Sequence, residues 1–302
     1  MVEVIENSGL KWYHILTPTD SDLRFLLENF NFHPLDIEDT VSKTQRPKID
    51  IYDDYFFIIL HFPHFDKDNI LIRINEVKLF WGKNYLITIG NVHWVVRELF
   101  NSAKENDTIR TGLMRGSSDL LFYKILERLL NESFIHLAKI GSEVEAINEK
   151  LFGKNAELII EKISVTRRNI ILLDTIFKPQ LRLFNKFDAG IIKGFADEMD
   201  AYWGNILDMY QKIWDLTEDY EEIVEGFSKT FDSLQTNRTN EIVKVLTLIS
   251  SILLPLTLIA SVYGMNIVVP FQNHPYAFWI IIGCMISIVV GLILYFKRRK
   301  WM

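Results

Sequence analysis

The sequence has almost no cysteine, since Cys284 is the only one among 302 residues. A single thiol can form neither an intramolecular disulfide nor a metal site made of several thiolates, so both are excluded. A phosphate-binding glycine loop, a nucleophile elbow and an H-E-x-x-H motif are also missing, and we therefore expect no enzyme. Residues 1–16 are acidic and lack the apolar region of a signal peptide, so we expect the polar part of the chain in the cytoplasm.

Positive charge is scarce as well. There are 33 Lys and Arg against 39 Asp and Glu, which gives a formal net charge of −6. A protein that binds nucleic acid neutralises phosphates with a basic surface, and this balance argues against such a partner. An acidic chain instead suits interaction with cations.

Charge is nearly absent from two segments close to the C-terminus. Ile242–Val262 contains one charged residue, Lys244, and Tyr276–Phe296 contains none. About 20 apolar residues in a helix cross a hydrocarbon core of roughly 30 Å. The two segments therefore predict two transmembrane helices. The alternative, two buried core helices of a soluble protein, is disfavoured because such helices rarely stay uncharged over this length.

The flanking charges predict an orientation. A basic tail, Lys297–Lys300, follows the second segment, and Arg238 precedes the first. The connecting residues 267–275 carry no charge. Because positive residues stay on the cytoplasmic side, we expect a multi-pass protein of the cell (cytoplasmic) membrane with both termini in the cytoplasm. Aromatic residues that favour membrane interfaces lie near the expected boundaries: Tyr276, Trp279, Tyr295 and Trp301.

The polar part of the chain predicts a domain of mixed helices and strands. We expect a cytoplasmic α/β domain over residues 1–115 and a helical hairpin over residues 116–192. The expected first helix is Ser21–Asn29, with Asp20 or Ser21 as its N-cap. The hairpin helices are expected over Ser118–Phe152 and Ala156–Phe187, separated by Gly153–Asn155. The expected strands are Lys11–Leu16, Tyr55–Phe62, Ile70–Ile74, Val77–Phe80 and Tyr85–Ile89.

Apolar residues then recur at helical spacing from Trp203 to Leu234, and no proline interrupts them before Pro255. This pattern predicts one helix from about Asp197 to Tyr263, on the order of 100 Å long. A helix of this length needs packing partners, either the hairpin or copies of itself. The expected organisation is a stalk (193–241), transmembrane helix 1 (242–263), an external loop (264–275), transmembrane helix 2 (276–296) and a basic tail (297–302).

A pair of transmembrane helices encloses no pore, so conduction requires a ring of subunits. Hydroxyl, amide and bulky aliphatic residues of the first segment fall within an arc of about 100°. Hydroxyls can bind the water around an ion, and rings of Val or Leu can close a pore by dewetting. The sequence leaves open the alternative that Ser and Thr only pack helix against helix. The arc contains Asn240, Val243, Thr247, Ser250, Leu254, Thr257 and Ser261.

The motif Tyr-Gly-Met-Asn, residues 263–266, lies at the end of the first apolar segment. Gly264 permits a tight turn, and Asn266 offers a neutral carbonyl oxygen. Such an oxygen suits Mg²⁺, which dehydrates reluctantly and keeps several waters. The alternative is an ordinary helix C-cap with Gly or Asn in the left-handed region.

Several short motifs of the sequence resemble those of the CorA family of magnesium transport proteins, and the resemblance covers nearly the whole chain. It implies an α+β membrane protein that forms a funnel-shaped homopentamer in the lipid bilayer, with a cytoplasmic α/β domain, a long stalk helix and two C-terminal transmembrane helices. The motifs are Thr239–Thr247, Leu254–Ala260, Tyr263–Asn266, Tyr295–Trp301, His33–Asp39 and Arg46–Asp50, followed by Tyr52, Asp54 and Tyr55.

The resemblance also implies site residues. Hydrated Mg²⁺ would meet a ring of Gly264, Met265 and Asn266. The implied pore-lining positions are Asn240, Val243, Leu246, Leu254, Thr257 and Ser261, of which Leu246 lies at the margin of the arc.

Two departures from the family pattern stand out. The loop after the motif has no acidic residue, so capture of cations falls to Asn266, Gln272 and Asn273. Asn205 stands where a stalk aspartate is expected to bind regulatory Mg²⁺, whereas Asp208 remains. Other acids are candidates for that regulatory site, with a solvated helix face as the alternative: Asp215, Glu218 and Asp219.

The expected function is passive, channel-like uptake of hydrated Mg²⁺. One alternative is a Co²⁺, Ni²⁺ or Zn²⁺ transporter of the same family, and another is a membrane-anchored sensor or structural protein that does not conduct. His61, His64, Asp66 and Asp68 resemble a loose zinc site, but Pro63 interrupts the set and favours a strand edge.

Overall fold

The computed structural model describes residues 2–42, 45–66, 68, 70–90, 93–151, 156–266, 270 and 274–301, with only the backbone described at 156 and 157. The chain divides into two compact units, Met1–Ser228 and Lys229–Met302. Three features of the sequence lie outside the described residues: the turn Gly153–Asn155, Gln272 and Asn273.

A six-stranded sheet forms the centre of the first unit. Its strand order is β1-β2-β6-β5-β4-β3, with β2 and β6 parallel and every other neighbouring pair antiparallel. Ser8 and Gly9, with φ of 50° and 84°, form the two-residue hairpin turn between β1 and β2. The strands are β1 Glu3–Asn7, β2 Leu10–Ile15, β3 Lys48–Ile51, β4 Tyr55–Phe65, β5 Ile72–Gly82 and β6 Tyr85–Ile89.

Eight helices are described. The expected N-cap of the first was wrong: Thr19 accepts a hydrogen bond from the backbone N–H of Asp22, whose carboxylate accepts from the backbone N–H of Thr19. This capping box needs a hydroxyl three residues before an acid, which Thr19 satisfies. The helices are α1 Asp20–Asn29, α2 Pro34–Val41, α3 Trp94–Glu105, α4 Asp107–Leu113, α5 Ser118–Lys150, α6 Ala156–Asp188, α7 Asp200–Tyr263 and α8 Ala277–Arg298.

Helices cover both faces of the sheet, because alternate strand residues point to opposite sides. On one face Phe57 and Phe80 join a core with Leu26 and Ile37 of α1 and α2. On the other face Trp81 packs against Phe122 of α5, with ring centroids 5.0 Å apart. This arrangement confirms the expected α/β layer domain.

Two buried side-chain amides of α6 bind strand backbone where a neighbouring strand is missing. Gln180 accepts from the N–H of His61 and donates to its carbonyl, both at 2.9 Å, beyond the point where β3 stops pairing with β4. Asn169 does the same at the start of β5, binding the N–H of Ile72 and the carbonyl of Ile70. Buried backbone groups are thereby satisfied without a further strand.

The pairing of the strands explains two differences from the expected strands. We expected Pro63 to end a strand, but β4 continues to Phe65. Proline is tolerated there because β3 pairs with β4 only as far as Ile59, so the strand has one neighbour at that level. The two expected segments after residue 70 form one strand, β5, which pairs with β4 along its whole length.

The first part of α7 packs on the hairpin of α5 and α6. Trp203 contacts Phe187, with centroids 4.8 Å apart, and Tyr210 stacks on Phe184 at 4.7 Å. The side chains of Ile206 and Ile213 on the same helix are fully buried. From Trp203 to Val224 the apolar stripe of the sequence is thus a packing surface inside the first unit. Helix α7 continues from there without interruption to Tyr263.

Burial of three histidines predicts that acid destabilises the first unit. Burial lowers the pKa of His14, His93 and His136 from 6.5 to about 4. The unfolded chain therefore binds protons that the folded chain rejects, so this contribution to stability is present above about pH 6.5 and is lost as the pH falls toward 4. The thermal midpoint of the full-length protein in detergent is expected to fall over this range.

His93→Gln is expected to reduce the slope of the midpoint against pH. His33→Asn is the matched control, because His33 is an exposed N-cap of α2 and Asn is an equivalent cap. Equal slopes for wild type and His93→Gln would show that the buried imidazole is not a source of the acid sensitivity.

Candidate cation site on the apolar helices

Among the residues that the structure describes, the apolar segments of α7 and α8 are not buried in a core. Their most apolar windows have mean hydropathies of 2.3 and 2.8, yet only 6% and 0% of these windows is buried. Core helices of a soluble protein would be covered by the rest of the chain. The exposure therefore excludes that alternative and leaves surfaces that suit a membrane or other copies of the protein.

The Gly-Met-Asn motif lies immediately after the end of α7. The N–H of Gly264 donates to the carbonyls of Ala260 and Ser261, at 2.9 and 3.2 Å, and the N–H of Met265 donates to Val262 at 3.4 Å. The last turn thus tightens into short-range hydrogen bonds. Met265 and Asn266 are exposed beyond it.

Gly264 is constrained by space and not by a left-handed backbone. A β-carbon at this position would lie 3.1 Å from the carbonyl oxygen of Ala260, which is a tight contact. Positive φ values are found at other described residues and not at Gly264 or Asn266. The left-handed form of C-cap is therefore not the one that this helix uses.

The residues of the predicted arc share one continuous helix. All are exposed within the chain except Ser250, which is half-buried. Thr247 donates its hydroxyl hydrogen to the carbonyl of Val243 at 2.7 Å, and Thr257 donates to Leu253 and Leu254. Because these hydrogens are engaged with the backbone, both threonines present oxygen lone pairs outward.

Pro255 adds a further polar group that the sequence analysis missed. The helix passes through Pro255 without a break, but proline has no N–H to donate to the carbonyl four residues earlier. That carbonyl belongs to Ser251, which lies about 20° outside the arc at 100° per residue. The signal was present in the sequence as a proline inside a long apolar helix.

The acids considered for regulation lie on the exposed side of α7. Asp208, Asp215, Glu218 and Asp219 are all exposed, and Asp215 accepts a hydrogen bond from Gln211 at 2.7 Å. Within the described residues, no three His, Cys, Asp or Glu side chains converge in a way that could hold a metal ion. One chain by itself therefore does not bring these acids together.

Asn205 is hydrogen-bonded to a residue of α5. Its amide donates to the hydroxyl of Tyr123 on α5 at 2.9 Å, and that hydroxyl donates to Glu127 at 2.6 Å. Burial, reinforced by Glu127, raises the pKa of Tyr123 to about 12. An amide at position 205 can donate into this chain of bonds, whereas a carboxylate would add a second negative charge near Glu127.

The loose His and Asp set of the sequence has other roles in the structure. His61 lies in β4 beside Gln180, and Asp66 accepts from the backbone N–H groups of Ile70 and Leu71 in the turn after β4. These are contacts of a strand and its turn, as the sequence analysis favoured.

The N-terminal motifs that resemble the CorA family form a network of contacts around α2. The buried carboxylate of Asp36 accepts from the hydroxyls of Tyr55 and Tyr52, at 2.9 and 3.3 Å. Asp39 pairs with Lys48 at 2.7 Å. Buried Lys78 donates to the last carbonyls of α2, including that of Asp39. These residues fasten α2 to the sheet within the first unit.

Comparison with known proteins agrees with this architecture. Residues 7–298 match the family model described as CorA-like Mg²⁺ transporter protein. The chain is 28% identical over 281 residues to the cobalt/magnesium transport protein CorA of Thermotoga maritima, covering 91% of this chain and 78% of that protein. It is 22% identical to the cobalt/magnesium transport protein CorA of Methanocaldococcus jannaschii, covering 98% and 92%.

A solved structure shows the same fold. The complete structure of the CorA magnesium transporter from Methanocaldococcus jannaschii superposes with a TM-score of 0.84 at 20% identity, covering 99% of this chain and 93% of that chain. The family model spans the sheet domain, the long helix and both apolar helices, and the family is one of transporters and not of enzymes. The chain is therefore a membrane protein that belongs to the family of CorA-like Mg²⁺ transporter proteins.

Proposed function

We propose that this protein is a channel-like transporter for passive uptake of hydrated Mg²⁺ across the cytoplasmic membrane. The observation that carries the proposal is one helix, α7, with an exposed apolar segment, a polar arc and a Gly-Met-Asn end. A lone helix of this kind has no pore, so several copies place their arcs around a common axis. We propose five copies, on the resemblance to the family.

The Gly264–Asn266 turns form the outer ring of this proposed pore. The N–H of Gly264 binds carbonyls of the last turn of α7, and the Asn266 side chain beyond this turn is exposed. Neutral oxygens accept hydrogen bonds from the waters of a hydrated ion without binding it as strongly as carboxylates would. Such weak binding allows the ion to leave, which conduction requires.

The arc below the ring supplies two kinds of lining. The outward lone pairs of Thr247 and Thr257 accept hydrogen bonds from water bound to the cation. Asn240, Ser250 and Ser261 add further polar groups. Rings of Val243, Leu246 and Leu254 are wide apolar bands that dewet and close the pore when they approach one another.

Regulation is proposed for the first unit. The exposed acids Asp208, Asp215, Glu218 and Asp219 do not form a site within one chain, so a regulatory Mg²⁺ would be held between copies. Their negative charge repels neighbouring copies until a cation neutralises it. Because Asn205 is engaged with Tyr123, the proposed site relies on Asp208 and the acids after it.

The proposed orientation places both termini in the cytoplasm, with residues 264–275 outside. The basic residues 297–300 then lie on the cytoplasmic side, as positive charges in short segments generally do. The proposed divisions are the α/β domain 1–115, the hairpin 116–192, the stalk 193–241, the two spans 242–263 and 276–296, and the tail 297–302.

Replacing Asn266 by Ala is expected to abolish Mg²⁺ uptake into proteoliposomes, because the outer ring loses its side-chain oxygens. Uptake is measured with a Mg²⁺-sensitive dye trapped inside the vesicles. Asn237→Ala is the matched control, since Asn237 is an exposed amide of α7 outside the arc, and it is expected to transport at the wild-type rate. Normal flux in Asn266→Ala would remove the motif from the transport path.

Chemical crosslinking in membranes is expected to give a ladder of bands that ends at the pentamer. The exposed apolar windows of α7 and α8 provide the surface for such assembly. A ladder that ends at the dimer would rule out a ring pore, because two copies cannot surround a pore with this arc.

Two alternatives remain within reach of the same preparation. One alternative is a transporter for Co²⁺, Ni²⁺ or Zn²⁺, of which Co²⁺ is supported by the name of the Thermotoga maritima relative. We expect Mg²⁺ flux to persist when these ions are present at equal concentration. If one of them is transported in preference, that ion is the substrate. A correctly assembled protein without any flux would indicate a sensor or structural role.

A further inference from the structure

The chain after α8 does not extend freely but reverses in a defined turn. The N–H of Lys300 donates to the carbonyl of Lys297 at 3.1 Å, and the N–H of Trp301 donates to the carbonyl of Phe296 at 3.0 Å. The cap residue of α8 is Arg299, and these two bonds run from the first and second residues past it to the second- and third-last carbonyls of the helix. This pair of bonds is the Schellman motif of helix C-termini.

An apolar contact completes the motif. The ring of Trp301 lies nearly parallel to that of Phe296, with centroids 6.2 Å apart and an interplanar angle of 16°. Phe296 is the one buried residue of α8, whose other residues are exposed or half-buried. The indole therefore folds back along the last apolar turn of the helix instead of pointing away from it.

Lys300 occupies the position of this motif that glycine usually takes. Its φ of 56° lies in the left-handed region, which is disfavoured for any residue with a β-carbon. Glycine would form the same turn without that cost. A disfavoured backbone that carries a charged side chain points to a use for the charge.

The turn gathers four cations at the end of an uncharged helix. Lys297, Arg298, Arg299 and Lys300 are all exposed, and none makes an ion pair with a described residue. The guanidinium of Arg299 lies 5.9 Å from the ring centre of Tyr295. The group therefore combines unneutralised positive charge with two amphipathic aromatic rings, those of Tyr295 and Trp301.

We propose that residues 295–301, the C-terminal collar, bind the anionic headgroups of phospholipids. The apolar helix α8 and the folded-back Trp301 set the collar at the depth of the headgroups, where Tyr and Trp rings also favour lying. Clusters of Lys and Arg directly beyond a transmembrane helix attract anionic lipid. A soluble phosphate would satisfy the cations but not the aromatic rings, so the collar fits a lipid better.

The test measures lipid selectivity of the full-length protein. The protein is placed in nanodiscs of phosphatidylcholine with a minor fraction of phosphatidylglycerol, and the lipids retained on release are counted by native mass spectrometry. Wild type is expected to retain phosphatidylglycerol several-fold in preference. Lys300→Gln is expected to lower the preference about fivefold, and 0.5 M salt is expected to weaken it throughout.

Three variants separate charge from fold. Lys300→Arg keeps the charge and is expected to keep the preference. Lys300→Gly removes the charge but favours the turn, so it is expected to lose the preference as Lys300→Gln does while the N–H of Trp301 stays protected from hydrogen exchange. Lys212→Gln changes an exposed lysine of the first unit and is expected to have no effect.

Three results would overturn the proposal: no preference in wild type, an unchanged preference in both Lys300→Gln and Lys300→Gly, or complete displacement of the lipid by soluble glycerol phosphate. The last result would assign the collar to a soluble anion. The measurement involves no Mg²⁺ flux, so it fails or succeeds independently of the proposed transport function.

Discussion

The apolar side chains of α7 and α8 that the described residues leave uncovered are the constraint on which this structure depends. Only 6% of the apolar window of α7 and none of that of α8 is buried. Burial is worth about 25 cal/mol per Å² of apolar surface, so two exposed helices of this length are strongly driven toward lipid and other copies. The exposed arc of α7, which mixes hydroxyls with Val and Leu, is the part least suited to lipid and so the part expected to face the axis of an assembly.

Side chains of the first unit bind backbone groups that lack a neighbouring strand or helical partner, and the first part of α7 packs on this unit. Gln180 and Asn169 bind strand backbone that lacks a neighbouring strand, and Lys78 binds the end of α2. Trp203 and Tyr210 then fix α7 against the hairpin. One helix therefore carries both the row of exposed acids and the residues of the arc, so the proposed regulatory and conducting groups share a single backbone.

Local periodicity predicted the elements that depend on local sequence. Tyr85–Ile89 was expected as a strand and is β6, and Tyr263 was expected as the end of the long helix and is the end of α7. Pro63 misled the prediction because its cost depends on which strands flank it. The cap at Thr19 was missed although its capping box is visible in the sequence as Thr-x-x-Asp. The elements β1, β3, α2 and α4 were not predicted because each has at most eight residues, too few for a clear pattern. Helix α3 was also missed, although its 12 residues carry the apolar spacing of an amphipathic helix at Val95, Val96, Phe100 and Ala103.

The sequence by itself determined the two apolar helices, the position of the Gly-Met-Asn motif between them and the arc on α7. Each of these follows from composition and helical spacing along one segment. Only the tertiary structure decided how Asn205 is engaged, since its partner Tyr123 lies 82 positions away. Tertiary packing likewise assigned Gln180 and Asn169 to the sheet. The backbone at Gly264 and Lys300 was also decided by the fold, because neighbouring carbonyls and the contact of Trp301 with Phe296 select one conformation among those that the sequence permits.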